Sequence, residues 1–344
     1  VNATFKAEPD DFRVDELPLY EALGEGPHVY LTLERRGQTT RELALELQRL
    51  FGLGEVDVGY AGMKDKLALA TQAFSLHLPN IALDEVRRRV ESEMAVALVA
   101  LTRHRNKLRR GHLAGNRFTI TLRCSAEPER ELATAARLIE ELRAAELPNF
   151  YGAQRFGVDQ RNAMRGESIL RRGHRPRSFK ERLFVNAFQS ALFNVWLAER
   201  IARGDYARIL PGDVAQKRTS GGIFDVVPDE RDEAQARFDS GEIGYTGPMY
   251  GAKMREATAD AGARERELLA RSGIEEGAFR RAKLDGTRRI ARVALDDAFV
   301  ATDEAGIRLV LTLPKGCYAT RVVHELLKPN DPQLATGLEA DEDS

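Results

Sequence analysis

Cysteine is nearly absent from this 344-residue chain: there are two, Cys124 and Cys317, far apart in sequence. That excludes a disulfide framework and leaves a cysteine-built zinc site without enough donors. The six histidines are scattered, so no histidine triad for a metal is in evidence. No apolar run approaches the roughly 20 residues that span a bilayer, and "VNATFKAEPDDF" lacks the basic-then-apolar order of a secretory signal. A reducing cytoplasm is the expected location. Also missing are G-x-G-x-x-G, a Walker loop, H-E-x-x-H and G-x-S-x-G, which removes the common nucleotide, zinc-protease and serine-hydrolase signatures. Charge of one sign is lacking too: 52 Lys and Arg against 53 Asp and Glu give a net charge of −1.

What is present is distribution. Residues 103–117, "RHRNKLRRGHLAGNR", hold six Lys and Arg with no acid. Residues 161–182 hold eight against Glu167 and Glu181. Segregated arginine of this kind suits a phosphate backbone, although solvated helix faces with ordinary ion pairs would read the same way.

Local patterns suggest sheets interrupted by helices without regular βαβ alternation, an α+β class. "HVYLTLERRG" alternates as a strand; "TTRELALELQRLFGLG" follows as a helix with Thr40 as its cap and Gly52 as its stop. "EVDVGYAG" predicts a second strand with Val56, Val58 and Tyr60 on one face, and "TQAFSLHL" a third. Asp65, in "GYAGMKDKLALATQ", therefore falls on a connection between strands, where a scaffold can hold a reactive group. The flanking Lys64 and Lys66 favour its ionised form, and a positioned carboxylate can serve as nucleophile or base at a glycosidic carbon. The plainer reading is a turn aspartate capping a backbone N–H. "PNFYGAQRFG" offers Phe150, Tyr151 and Phe156 as core or as a stacking surface, with Asn149 as a paired donor and acceptor for a base edge. In "LPKGCYATRVV" a Pro-Gly turn would present Tyr318 ahead of a helix, or pack it under the turn.

Taken in order, these stretches resemble the TruD family of tRNA pseudouridine synthases. "KAEPDDFRVDE", "YAGMKDKLALATQ", "RHRNKLRRGHLAGNRF", "NFYGAQRFG", "SALFNVWLAERI", "GDVAQ" and "LPKGCYATRVVHELL" follow the family's motifs collinearly over nearly the whole chain. The resemblance implies a pseudouridine synthase core, a mixed β-sheet with flanking helices and a central cleft, carrying an inserted TRUD-type α/β domain. The core is expected at 1–174 plus 291–344 and the insertion at 175–290. It implies isomerisation of uridine to pseudouridine at position 13, in the D-arm of tRNA, without cofactor or metal. By carry-over Asp65 is the nucleophile, acting on sugar or base. Phe12, Asn149, Tyr318, Tyr151 and Lys6 match substrate-pocket positions, and Arg103, Arg105, Lys107, Arg109, Arg110 and Arg117 the RNA-backbone segment. Two departures bear on selectivity: Phe150-Tyr151 inverts the usual Tyr-Phe order, and Tyr318 stands where phenylalanine is common. The expected partner is tRNA, with no membrane and a monomeric chain. A scaffold that binds RNA without catalysis, or a nucleosidase releasing free uracil, are the rival readings.

Overall fold

The computed structural model describes residues 1–5, 8–124, 127–157 and 159–328. They divide into two compact units. Unit 1 comprises Val1–Ala144, Leu295–Ala319 and 325–328; unit 2 comprises Ala145–Ala294 and Thr320–His324.

Unit 1 holds strands β1 (Ala3–Phe5), β2 (Phe12–Pro18) and β3 (His28–Arg35), helix α1 (Thr40–Phe51), β4 (Val58–Tyr60), β5 (Leu69–His77), α2 (Leu83–Glu93), β6 (Ala97–His104), β7 (Leu113–Cys124) and α3 (Pro128–Ala145). Its last two strands are reached after the chain has built unit 2. That second unit contains β8 (Leu147–Pro148), α4 (Asn162–Arg171), α5 (Phe179–Ala202), β9 (Val214–Lys217), β10 (Ile223–Asp225), α6 (Arg231–Asp239), β11 (Ile243–Met249), α7 (Ala259–Ser272), α8 (Glu276–Arg281), β12 (Thr287–Ile290) and β13 (Arg292–Val293). The chain then returns to unit 1 with β14 (Phe299–Asp303) and β15 (Gly306–Pro314), and the last helix among the described residues is α9 (Ala319–Leu327).

The sheet of unit 1 runs β14-β15-β7-β2-β5-β3-β6, with β1 also on β7 and β4 also on β5. Among the described residues β2 and β5 alone pair in parallel, Arg13 opposite Leu69, so the sheet is mixed. Alternation in β3 sends Val29, Leu31 and Leu33 to one face, where Leu43 and Leu47 of α1 and Val86 and Val90 of α2 close over them with Phe74 and Leu76 of β5. Helix α1 is capped by Thr39, one residue earlier than the sequence suggested. Its hydroxyl accepts from Glu42 N (3.1 Å), and the Glu42 carboxylate accepts from Thr39 N (2.6 Å), a reciprocal box that leaves the Thr40 hydroxyl for other work. The hydrogen bond from the Thr39 amide holds the Glu42 carboxyl below its ordinary pKa. The strand expected at 55–62 is shorter, Val58–Tyr60. Asp57 accepts from Gly54 N (3.1 Å) and winds Glu55–Asp57 into a 3-10 turn, leaving Val56 79% exposed.

Unit 2 is built on a four-stranded antiparallel sheet, β10-β9-β11-β12. Phe193, Trp196 and Leu197 of α5 pack with Ile243, Tyr245 and Met249 of β11 in its core. Two ion pairs are fully enclosed in it, Arg200 with Asp213 (2.6 Å) and Arg288 with Glu265 (2.7 Å). The boundaries between the units fall after Ala144 and Ala294, whereas the sequence suggested breaks after 174 and 290. Residues 145–174 group with unit 2 because β8 pairs with β13 and α4 lies against α5. At the helix contact Gly166 is needed: a Cβ there would overlap the Phe184 carbonyl.

Candidate active site

Between β4 and β5 the chain makes a connection, 61–68, that carries Asp65. The connection starts close against its neighbours: β4 pairs with β5 (Gly59 opposite Ser75), and a Cβ on Gly59 would overlap the Leu108 carbonyl. Beyond it the backbone is gripped by buried polar side chains. Arg35, at the end of β3 and 1% exposed, donates to the carbonyls of Lys64 (3.1 Å), Asp65 (3.4 Å) and Gln38. The Thr40 hydroxyl accepts from Lys64 N (2.9 Å) and donates to Gln72 Oε1 (2.9 Å); Gln72 Nε2 donates in turn to the Gly62 carbonyl (2.6 Å). Main chain at 62, 64 and 65 is thus fixed by three residues from three elements, each essentially solvent-free.

The two lysines beside Asp65 do different work from the one their sequence position suggested. The Lys64 ammonium turns inward, 2.7 Å from Glu16 Oε2 and 2.7 Å from Asn116 Oδ1, and burial lowers its pKa even against the attraction of Glu16. Lys66 lies 3.9 Å from Glu42 at the start of α1. Arg35 interacts electrostatically with Asp65: desolvation pulls the Arg35 pKa down to about 10 while Asp65 and Glu42 oppose the fall. Asp65 itself is half-buried, and its Oδ1 accepts from Leu67 N (3.1 Å), so the plain turn-capping role coexists with a positioned carboxylate. Sequence reasoning missed Arg35, Thr40 as loop anchor, Glu16 and Asn116. The one signal available was the Thr-Gln pair after the lysines, whose Gln72 is fully buried. We expect Thr40→Val to cost about 1–3 kcal/mol, because Lys64 N and Gln72 Oε1 both lose a buried partner. Urea unfolding measures it, and a loss below about 0.5 kcal/mol would mean that the hydroxyl is dispensable.

Phe12 opens β2 and is 5% exposed, its ring packed on Phe5 (centroids 5.6 Å apart) and Phe118 (5.9 Å). The parallel register, Arg13 opposite Leu69, sets it at the end of the sheet where β5 leaves the Asp65 connection. Tyr318 follows β15, half-buried, past a turn in which Cys317 N donates to the Pro314 carbonyl (3.3 Å). Lys315 in that turn donates to Gly111 O (3.2 Å), and Leu313 pairs with Asn116, the residue that holds Lys64. Lys6 lies outside the described residues.

Asn149 and Tyr151 belong to unit 2. Asn149 is 4% exposed; its Nδ2 donates to Ile290 O (2.9 Å), its Oδ1 accepts from Arg289 Nη2 (2.6 Å), and its amide N donates to Ala291 O. The fully available donor-acceptor pair expected from sequence is therefore half committed within the fold, since an amide has two N–H groups and two lone pairs. Tyr151 is fastened through its backbone to Asn194 (2.8 and 3.0 Å). Its ring meets the Arg289 guanidinium at 3.9 Å and the edge of Phe193 at 5.8 Å, so a bare stacking platform is not what the fold provides. Arg289, bonded to Asn149 and stacked on Tyr151, is a further residue that sequence reasoning missed.

The basic segment 103–117 also divides. Arg103 is a correction: its guanidinium donates to the carbonyls of Gly26 and Leu78 (3.1 Å each) and of Ile81, which makes it an internal clamp rather than a phosphate ligand. Arg105 pairs with Glu25, Lys107 donates to Val56 O (2.6 Å) and Arg110 to the Tyr60 hydroxyl (3.3 Å). Arg109 and Arg117 are exposed, with no side-chain partner among the described residues. Lys107 and Arg109 also line a surface concavity with Tyr20, His28, His104 and His112.

Residues 1–177 and 175–326 match the model of the family tRNA pseudouridine synthase D (TruD). The chain belongs to the TruD family. Among TruD relatives, a tRNA pseudouridine synthase D of Anaeromyxobacter sp. (strain Fw109-5) is 42% identical over 99% of this chain and 95% of its own. One from Thermus thermophilus is 40% identical over 95% and 89%. The crystal structure of a TruD protein from Methanosarcina mazei superposes with a TM-score of 0.76 at 23% identity, covering 95% of this chain and 94% of that one, a likeness of fold.

Proposed function

We propose that this TruD-family chain isomerises uridine to pseudouridine in tRNA, at position 13 of the D-arm, with Asp65 as the nucleophile. The observation that carries the assignment is the fixed backbone around a half-buried carboxylate: Arg35, Thr40 and Gln72 hold residues 62–65 while the Asp65 side chain keeps access to solvent. The reaction breaks the N1–C1′ bond and makes a C5–C1′ bond. The C5 hydrogen leaves as a proton and N1 gains one, so substrate and product are isomers and nothing external is consumed. Attack of the carboxylate on C1′ displaces the base directly; addition to C6 reaches the same product. An extruded uridine costs a few kcal/mol of lost stacking, which contacts elsewhere on the RNA must offset.

In this reading unit 1 is the catalytic core and unit 2 carries the inserted domain. By the family resemblance Phe12, Asn149, Tyr318, Tyr151 and Lys6 are the residues assigned to substrate contact. The chain acts as a cytoplasmic monomer without metal. Among the described residues no helix is long and apolar enough to cross a membrane.

The test is incubation with tRNA labelled with tritium at uracil C5. Isomerisation releases tritium to water and leaves strand and base count intact. Free uracil would indicate a nucleosidase, and binding without tritium release an inactive RNA-binding scaffold; either result would overturn the reading.

A further inference from the structure

Unit 2 bears a surface that the proposed reaction does not use. In the connection from α4 to α5 and the first turns of α5, Arg172, Arg175, Arg177, Lys180 and Arg182 are exposed, and none has a side-chain ion pair or hydrogen bond among the described residues. Elsewhere in the unit many cations are paired, Arg165 with Asp159, Arg171 with Glu167, Arg237 with Glu242, Arg255 with Asp225 and Arg271 with Glu199. Arg208, Arg266 and Arg280 are exposed without a side-chain partner among the described residues too, and what sets 172–182 apart is five such cations within eleven residues. The one acid between 172 and 182, Glu181, spends its carboxylate on the backbone, accepting from Arg177 N (2.6 Å). Amid these cations Phe179 stands 71% exposed, with Leu183 40% exposed on the next turn. The core of the unit does not need that ring: Val185, Phe188, Phe193 and Trp196 supply the buried face of α5. Behind this surface α4 lies so close to α5 at Gly166 that no side chain fits between them.

We infer that Phe179 and the surrounding cations form a docking surface for an unpaired stretch of tRNA other than the uridine that is isomerised. One nucleobase stacks on the Phe179 ring, and the flanking phosphates lie against Arg175, Arg177 and Lys180. Uncompensated positive charge beside an exposed aromatic ring is the combination that non-specific single-strand binders use: phosphates supply the charge, and every base has a π face. The inference takes from the proposed function only that the RNA is tRNA.

The experiment uses the full chain and a tRNA transcript in filter binding at fixed salt. Phe179→Ala should weaken binding about 5- to 150-fold, the loss of one stacked base. Phe179→Trp should restore it, and its emission should fall when tRNA is added. The chain's single native tryptophan, Trp196, is 6% exposed and gives a steady background. Replacing Arg175 and Arg177 by Gln should reduce the slope of log affinity against log salt by about 1.4, at about 0.7 per single-strand phosphate. Wild-type affinity for Phe179→Ala, unchanged emission at saturating tRNA, or an unchanged slope each overturns the inference. So does Phe179-dependent binding of phosphatidylserine vesicles with tRNA binding unaffected, which would make the surface a membrane contact. Tritium release by wild type reports on the reaction alone, so failure of either reading is visible separately.

Discussion

Asp65→Ala is expected to reduce tritium release from C5-labelled tRNA by at least about 10⁴-fold, since loss of a nucleophile removes the covalent route itself. Asp65→Asn should fall as far, although it keeps an oxygen able to accept from Leu67 N, because an amide is too weak a nucleophile. The loss should be chemical rather than structural. The hydrogen bonds from Arg35 and to Thr40 engage the main chain of the connection rather than the carboxylate, so the melting temperature and the tRNA affinity of both variants should stay near wild type. A variant with more than a tenth of wild-type release would remove Asp65 from the chemistry. One that also lost tRNA binding or melted early would show that the carboxylate serves the fold.

The second large effect is in stability. Lys64→Met should destabilise the protein by about 3–5 kcal/mol, the range for breaking one side of a buried pair. Lys64 and Glu16 side chains are 5% and 4% exposed at 2.7 Å, so removing the ammonium strands a carboxylate in a site from which water is excluded, together with the Asn116 carbonyl oxygen. Burial already lowers the Lys64 pKa against the pull of Glu16, which says that this site is costly for any lone charge. The double variant Lys64→Met, Glu16→Leu should therefore recover most of the loss, since both partners leave together. Guanidinium unfolding of the wild type, both single variants and the double variant measures the coupling. If the double variant lost as much as the sum of the singles, the two residues would be acting independently.

The position of Asp65 was legible in sequence because period-two patterns bracket it and strand connections are short. Its supports were not. A glycine-flanked turn looks the same whether its carbonyls face water or a buried guanidinium, and Arg35 sits in "LERRG" beside Arg36, with nothing to separate the enclosed arginine from its 59% exposed neighbour. Arg103 read as a phosphate ligand for the same reason: its three carbonyl partners lie 22 to 77 residues away. Asn149 is engaged by Arg289, 140 residues on, a contact that only the folded strand β12 creates. The cap of α1 shifted by one because two threonines adjoin and only geometry decides which hydroxyl faces the helix.

The fastening of the 61–68 connection grips peptide groups and the inward-facing Lys64, and it leaves Met63 and Leu67, 53% and 55% exposed on either side of Asp65, outside the grip. Those two positions form a rim that natural drift or a randomised library can vary without unseating the carboxylate. Preference for one RNA over another can therefore evolve there while the reaction is retained.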